Sequence, residues 1–208
     1  MPSPDQLLAF LIAALVITAS PGPDNLMVLG MGMSRGRRHG VAFGLGCAFG
    51  CLSHTALAAA GVSALVAASP TAFLALKIGG GLYLIWLGIQ ALRSRGGARV
   101  GEAVVGAPTL SRLFLRGVLA NAINPKVVLF FLSFLPQFVS PAQGPVGLQV
   151  AILGLVFTLQ AVVLFGLLGW FAGAIGHWLQ RAPRAGLWLD RAAGAIFVGL
   201  GLRLLVSR

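Results

Sequence analysis

Pro21-Gly22-Pro23-Asp24-Asn25 interrupts an apolar run that would otherwise read as one helix. Residues 7–19 before it are almost wholly apolar, and residues 26–33 after it are apolar again. Neither piece alone reaches the roughly twenty residues that a bilayer crossing takes, but together they do. The break therefore falls near mid-membrane. Two prolines and a glycine cannot continue a regular helical ladder, yet they can start a new one. Ser20 suits an N-cap and Pro21 the first helical position. The freed N–H groups and the positive end of the new helix then point into the break, with Asp24 in the first turn. An ionisable residue at a mid-membrane helix break is the kind of place where transporters bind substrate.

The rest of the composition agrees. Mean hydropathy is +0.93, and only 9% of the 208 residues are charged, which is the profile of an integral membrane protein forming one compact helical domain. Lys and Arg total 15 against 4 Asp and Glu, a net charge of +11. These cations cluster in connections beside apolar segments, where they fix orientation and meet anionic lipid, so no nucleic-acid partner is expected. Residues 1–6 carry Asp5 and no Lys or Arg. They lack the basic start of a signal peptide, and the first segment reads as a retained span.

Six spans are expected. Residues 34–40 form a short basic loop with Arg35, Arg37 and Arg38. The second span covers 41–67, with Gly40, Gly44 and Ala48 four apart as a small-residue stripe. A turn at 68–71 leads to a third span over 72–92. Residues 93–116 are rich in Arg, Gly and Pro and read as a loop between two halves. The fourth span, 117–138, is itself broken at Asn124-Pro125-Lys126. An uncharged turn at 140–147, a fifth span reaching residue 175, a polar stretch at 176–190 and a short sixth span over 191–206 complete the chain. The odd connections hold the cations, so they face the cytoplasm and both termini face outward; Arg203 and Arg208 at the outer end run against that count.

The fold class is thus all-α, with six transmembrane helices as two inverted three-helix repeats, about 1–92 and 117–208. The first helix of each half is broken by proline. The breaks carry the candidate substrate site: Pro21, Gly22, Pro23, Asp24 and Asn25 in one half, Asn121, Asn124, Pro125 and Lys126 in the other. An intramembrane charge is costly, so Asp24 and Lys126 are expected to pair, directly or through substrate or water. Asp24 is the candidate for proton coupling. Cys47, Cys51 and His54 share one helix face and could serve a soft metal or thiol redox chemistry. One helix cannot surround a metal, and small Cys among Gly and Ala packs ordinary helices, so no metal site and no cofactor are expected. Lys77 reads as a snorkelling anchor near the outer surface.

Three stretches carry a family resemblance: Ser20 to Asn25, the run Lys77-Ile78-Gly79-Gly80-Gly81-Leu82-Tyr83-Leu84-Ile85-Trp86-Leu87-Gly88, and Asn121-Ala122-Ile123-Asn124-Pro125-Lys126. With them the chain resembles the LysE/RhtB family of amino-acid exporters, on its homoserine/threonine-exporter side, over nearly its whole length. The resemblance implies a multi-pass protein of the bacterial inner membrane. It implies export of small neutral amino acids, with proton exchange as the driving force and no enzymatic activity. The substrate carboxylate would meet the half-helix N-termini and Lys126, and its amine would meet Asp24 and the amides of Asn25, Asn121 or Asn124. No G-x-x-x-x-G-K-[ST] motif occurs in the sequence, which is consistent with gradient-driven transport. The alternatives are a membrane thiol or electron carrier using the cysteines, and an inorganic-cation exporter of the same fold. The sequence leaves open whether the protein forms a homo-oligomer.

Overall fold

The computed structural model describes residues 1–94 and 108–206, and no strand occurs among them. Nine α-helices run in order: α1 (Pro4–Ala19), α2 (Pro23–Arg35), α3 (Arg37–Ala68), α4 (Pro70–Arg93), α5 (Leu110–Ala122), α6 (Pro125–Leu129), α7 (Val146–Trp170), α8 (Ala172–Arg181) and α9 (Pro183–Val206). A π-helical turn, Phe130–Phe134, and a 3-10 turn, Leu135–Phe138, follow α6 without a gap.

Polarity is inverted relative to a soluble protein. Leu57, Leu119, Leu159 and Val163 are well exposed, while Asp24, Asn121, Asn124 and Lys126 are buried. Such a surface needs hydrocarbon against it. Two helical stretches, Arg37–Gly61 and Val146–Trp170, are long and apolar enough to cross a membrane alone. Two bent pairs qualify as one span each, α1 with α2 at 57° and α5 with the Pro125–Phe138 segment at 50°, which brings the number to as many as four. The helices α4 and α9 are 24 residues each.

Helix α3 is the axis on which the site hangs. It packs against α7, α5 and α2. Its contact with α5 is backbone on backbone: a Cβ added to Gly46 would lie 2.0 Å from the Phe114 carbonyl oxygen, and one added to Gly117 would lie 2.2 Å from that of Phe43. Only glycine permits that approach, which holds the second break against α3. The α4 and α9 helices pack against each other in antiparallel register, Gly88 against Gly194 and Gly81 against Gly201.

Several connections are more helical than the sequence pattern suggests. The loop expected at 34–40 shrinks to Gly36, whose φ of 92° permits α2 to pass directly into α3. Helix α5 starts at Leu110 rather than at residue 117, because the Thr109 side chain caps it by accepting from the Arg112 N–H. Arg95, Arg99 and Glu102, in the stretch 93–116 that reads as a loop between the halves, lie outside the described residues, as does Arg208. The fifth span ends at Trp170, where Phe171 leaves helical geometry, and the polar stretch after it is α8 plus the first turns of α9. At one end of the bundle the Met1 ammonium donates to the Gln143 carbonyl. At the other, the Arg37 guanidinium lies 4.2 Å from the Trp170 ring centroid.

Candidate functional site

Each break leaves carbonyl groups that a continuous helix would satisfy, and each recruits side chains to replace the missing donors. Pro21 has no N–H for the Ile17 carbonyl, and the Ser20 hydroxyl donates there instead at 2.8 Å. The Asn25 amide donates to the Thr18 carbonyl at 2.9 Å. The Ser20 carbonyl receives the Lys126 ammonium, from the other half of the chain, at 2.9 Å. The same Nζ donates to the Ser20 hydroxyl at 3.2 Å.

At the second break Pro125 cannot serve the Asn121 carbonyl. The Asn124 N–H takes it at 2.9 Å and His54 Nε2 at 3.0 Å. A carbonyl only accepts, so that contact requires the Nε2–H form of the imidazole. The Asn121 side chain turns the other way. Its amide donates to Asp24 Oδ2 at 2.8 Å, and its Oδ1 accepts from the Cys51 thiol at 3.5 Å.

One feature differs from expectation. Ser20 does not begin α2: it ends α1, in extended geometry, and Gly22 is the N-cap of α2 with Pro23 at the first helical position. Gly22 brings no side chain to the α2 N-terminus, so the Asp24 and Asn25 N–H groups have no intrahelical partner. Of the direct and indirect forms expected for the charged pair, the structure has no direct one. Asp24 and Lys126 are not hydrogen-bonded to each other; Asp24 takes Asn121 and Lys126 takes Ser20. Both line one cavity of about 10 Å³, together with Thr18, Asn25, Cys51 and Asn121. That volume admits no more than a single water. The pair meets across this space rather than by contact.

Of the nine expected site residues, Asp24, Asn25, Asn121 and Lys126 line the closed cavity. Pro21, Gly22, Pro23, Asn124 and Pro125 line an adjoining cleft of about 690 Å³, which Lys126 also borders. The cleft runs along α4 and α9 to Ser94 and Asp190, whose side chains are hydrogen-bonded at 2.5 Å. Lys126 thus stands between the closed cavity and the open cleft. A Cβ on Gly22 would lie 3.0 Å from its Nζ, so the ammonium rests directly against the start of α2. Ser20 caps the break, but the sequence does not reveal it as the ligand of Lys126. Thr18 was not among the candidates; its hydroxyl accepts from Gln160 at 2.8 Å and it lines the closed cavity.

Cys47 and Cys51 are free, buried thiols on α3. Cys51 and His54 both contact Asn121, which gives this helix face a packing and positioning role at the second break. Among the described residues, no group of three or more His, Cys, Asp or Glu could hold a metal ion.

The chain matches the LysE type translocator family over residues 15–208. It is 33% identical over 204 residues to an uncharacterized membrane protein of Vibrio cholerae, covering 97% of each chain. It is 32% identical to the threonine efflux protein of Escherichia coli K12, covering 98% of this chain and all of that one. To the homoserine/homoserine lactone efflux protein of Salmonella typhimurium it is 31% identical, over 96% of each. No solved structure matches. With the family match spanning almost its full length, the chain belongs to the LysE translocators and is a membrane transport protein rather than an enzyme.

Proposed function

We propose that the protein exports small neutral amino acids of the threonine and homoserine type across the bacterial inner membrane, in exchange for protons. The observation that carries this reading is the meeting of two proline breaks from opposite halves, which brings Asp24 and Lys126 to one buried cavity. A zwitterionic substrate has the complementary charges. Its carboxylate goes to the open N-terminus of α2, where the Asp24 and Asn25 N–H groups and the helix dipole join Lys126. Two of the three Lys126 N–H groups are used by Ser20, and the third suits the carboxylate. Its ammonium goes to Asp24. The Asn124 amide nitrogen is buried without a hydrogen-bond partner and can add a donor to the carboxylate.

The cavity is far too small for an amino acid, so loading requires the breaks to separate and the 690 Å³ cleft to deepen toward Lys126. Asp24, once parted from its partners, would take a proton on one side and release it on the other, which couples the two fluxes. In this reading the bundle has six spans in two inverted repeats, with both termini outside. Names of relatives that export threonine and homoserine lactone support the substrate class.

A panel of radiolabelled amino acids offered to inverted vesicles with an acid interior tests this. Uptake of threonine or homoserine that collapses with the pH gradient is the expected result. Uptake of no amino acid would refute the reading.

A further inference from the structure

Two cations have no place in the site described above. Lys77 lies in α4 and Arg203 in the last turn of α9. The antiparallel packing of Gly81 on Gly201 brings both to the same end of the helix pair. There they line one cavity of about 520 Å³, together with Asp5 and Gln6 from the start of α1. This is the end at which Met1 meets Gln143.

The inner wall of this cavity includes Phe134 and Phe138. Phe134 lies 5.2 Å from Phe130 between ring centroids, and Phe138 lies 5.3 Å from Phe10. Phe130 and Phe157, 5.2 Å apart, line the closed cavity on the far side. A layer of packed rings, two deep where Phe134 lies on Phe130, therefore separates Lys126 from the space that Lys77 and Arg203 border. Much of that layer sits on the π-helical turn Phe130–Phe134. A π turn is a rare, wide helical geometry that recurs at functional sites and can rewind to α.

We propose that the cavity bordered by Lys77, Arg203 and Asp5 is a second, release-side site for the transported amino acid. The carboxylate leaves Lys126 for Lys77 and Arg203, and the ammonium leaves Asp24 for Asp5. The aromatic layer opens between the two stations. The inner and outer sites then repeat one charge pattern, cation and carboxylate, on either side of an apolar barrier. The outer station is roomy and its Arg203 is exposed, so it binds weakly and releases readily. This inference rests on the export reading.

The two faces can be titrated separately. Uptake into inverted vesicles reads half-saturation at the inner face. Efflux of labelled threonine from right-side-out vesicles, with unlabelled threonine outside, reads the concentration at which the outer face responds. The double variant Lys77→Gln, Arg203→Gln should raise the outer value roughly tenfold, as loss of a charge-assisted contact would, and leave the inner one within about twofold. Lys77→Arg with Arg203→Lys should restore the outer value. An unchanged outer value overturns the second site, and so does an equal change at both faces. If the double variant fails to insert, each single variant is read against the same outcomes. Wild-type vesicles that move no amino acid would refute the export reading itself, and with it this one.

Discussion

At the first break, Pro21 and Pro23 leave a helix end with three carbonyls served by side chains, and one of those side chains, Lys126, comes from the other half. At the second break, Pro125 leaves the Asn121 carbonyl to Asn124 and His54, and the Asn121 side chain reaches over to Asp24. Side chains of the second break thus complete the first, while His54 of α3 completes the second. The breaks differ in what remains open. Asn124 Oδ1 accepts from the Lys126 N–H at 3.0 Å and closes the N-terminus of α6. Gly22 leaves the N-terminus of α2 uncapped. Helix α6 is also only five residues long before the π turn, whereas α2 runs for 13. An uncapped, longer helix is the better anion site, because its dipole and its N–H groups are both available. In the proposed export reading, the asymmetry favours the first break for the substrate carboxylate, with the second as its support.

The largest effect should come from Lys126→Ala. It removes a charge-assisted contact to substrate and the donor to the Ser20 carbonyl. Loss of about 3 kcal/mol of substrate binding is a loss of roughly a hundredfold in affinity, read as half-saturation in vesicle uptake. Near-normal affinity would move the carboxylate site elsewhere.

Asp24→Asn acts on the other half of the pair. The amide keeps the shape and most packing, so the variant should insert normally and retain some exchange. Its uptake should no longer respond to an imposed pH gradient, because no carboxyl group remains there to carry the proton. Persistence of the wild-type pH response would place the proton path away from the breaks.

Gly22→Ala and Asn124→Ala separate the open N-terminus from the capped one. A methyl group at Gly22 presses on Lys126 Nζ at 3.0 Å, and a flexible ammonium can give way. The protein should therefore melt close to wild type but bind substrate more weakly. Asn124→Ala removes a cap worth ~1 kcal/mol and should lower the melting temperature, with a smaller loss of affinity. The reverse order would mean that the α6 end, not the α2 end, holds the anion.

The smallest effect is expected from Cys47→Ala with Cys51→Ala. Both thiols are buried on a packing face, and the change keeps small volume there. Most transport should survive. Loss of transport with normal insertion would revive thiol chemistry as the function.

Proline made both breaks legible in the sequence, since no other residue so reliably halts a helical ladder. Asp24 and Lys126 were legible as intramembrane charges. The cap was not, because Ser20-Pro21 and Gly22-Pro23 fit the same rule and only the first hydrogen bond of α2, from the Leu26 N–H to the Gly22 carbonyl, chooses between them. The cross-half partners Ser20 and Asn121 depend on tertiary packing that no local pattern encodes. The π turn over Phe130–Phe134 carries no breaker and reads as ordinary apolar helix. Helix α8 and the first turns of α9 were hidden by charges that suggested a loop, although they lie on helices at the bundle's end.

The central claim is that the two breaks form one site with the substrate's two charges divided between them. Binding of threonine, threonine amide and the corresponding α-hydroxy acid to wild type, Lys126→Gln and Asp24→Asn tests it most directly. The account predicts that Lys126→Gln loses the preference for threonine over its amide while keeping the preference for an ammonium. Asp24→Asn should lose the preference for threonine over the hydroxy acid while keeping the preference for a carboxylate. If both variants blunt both preferences alike, or if neither alters either, the substrate does not lie between Asp24 and Lys126.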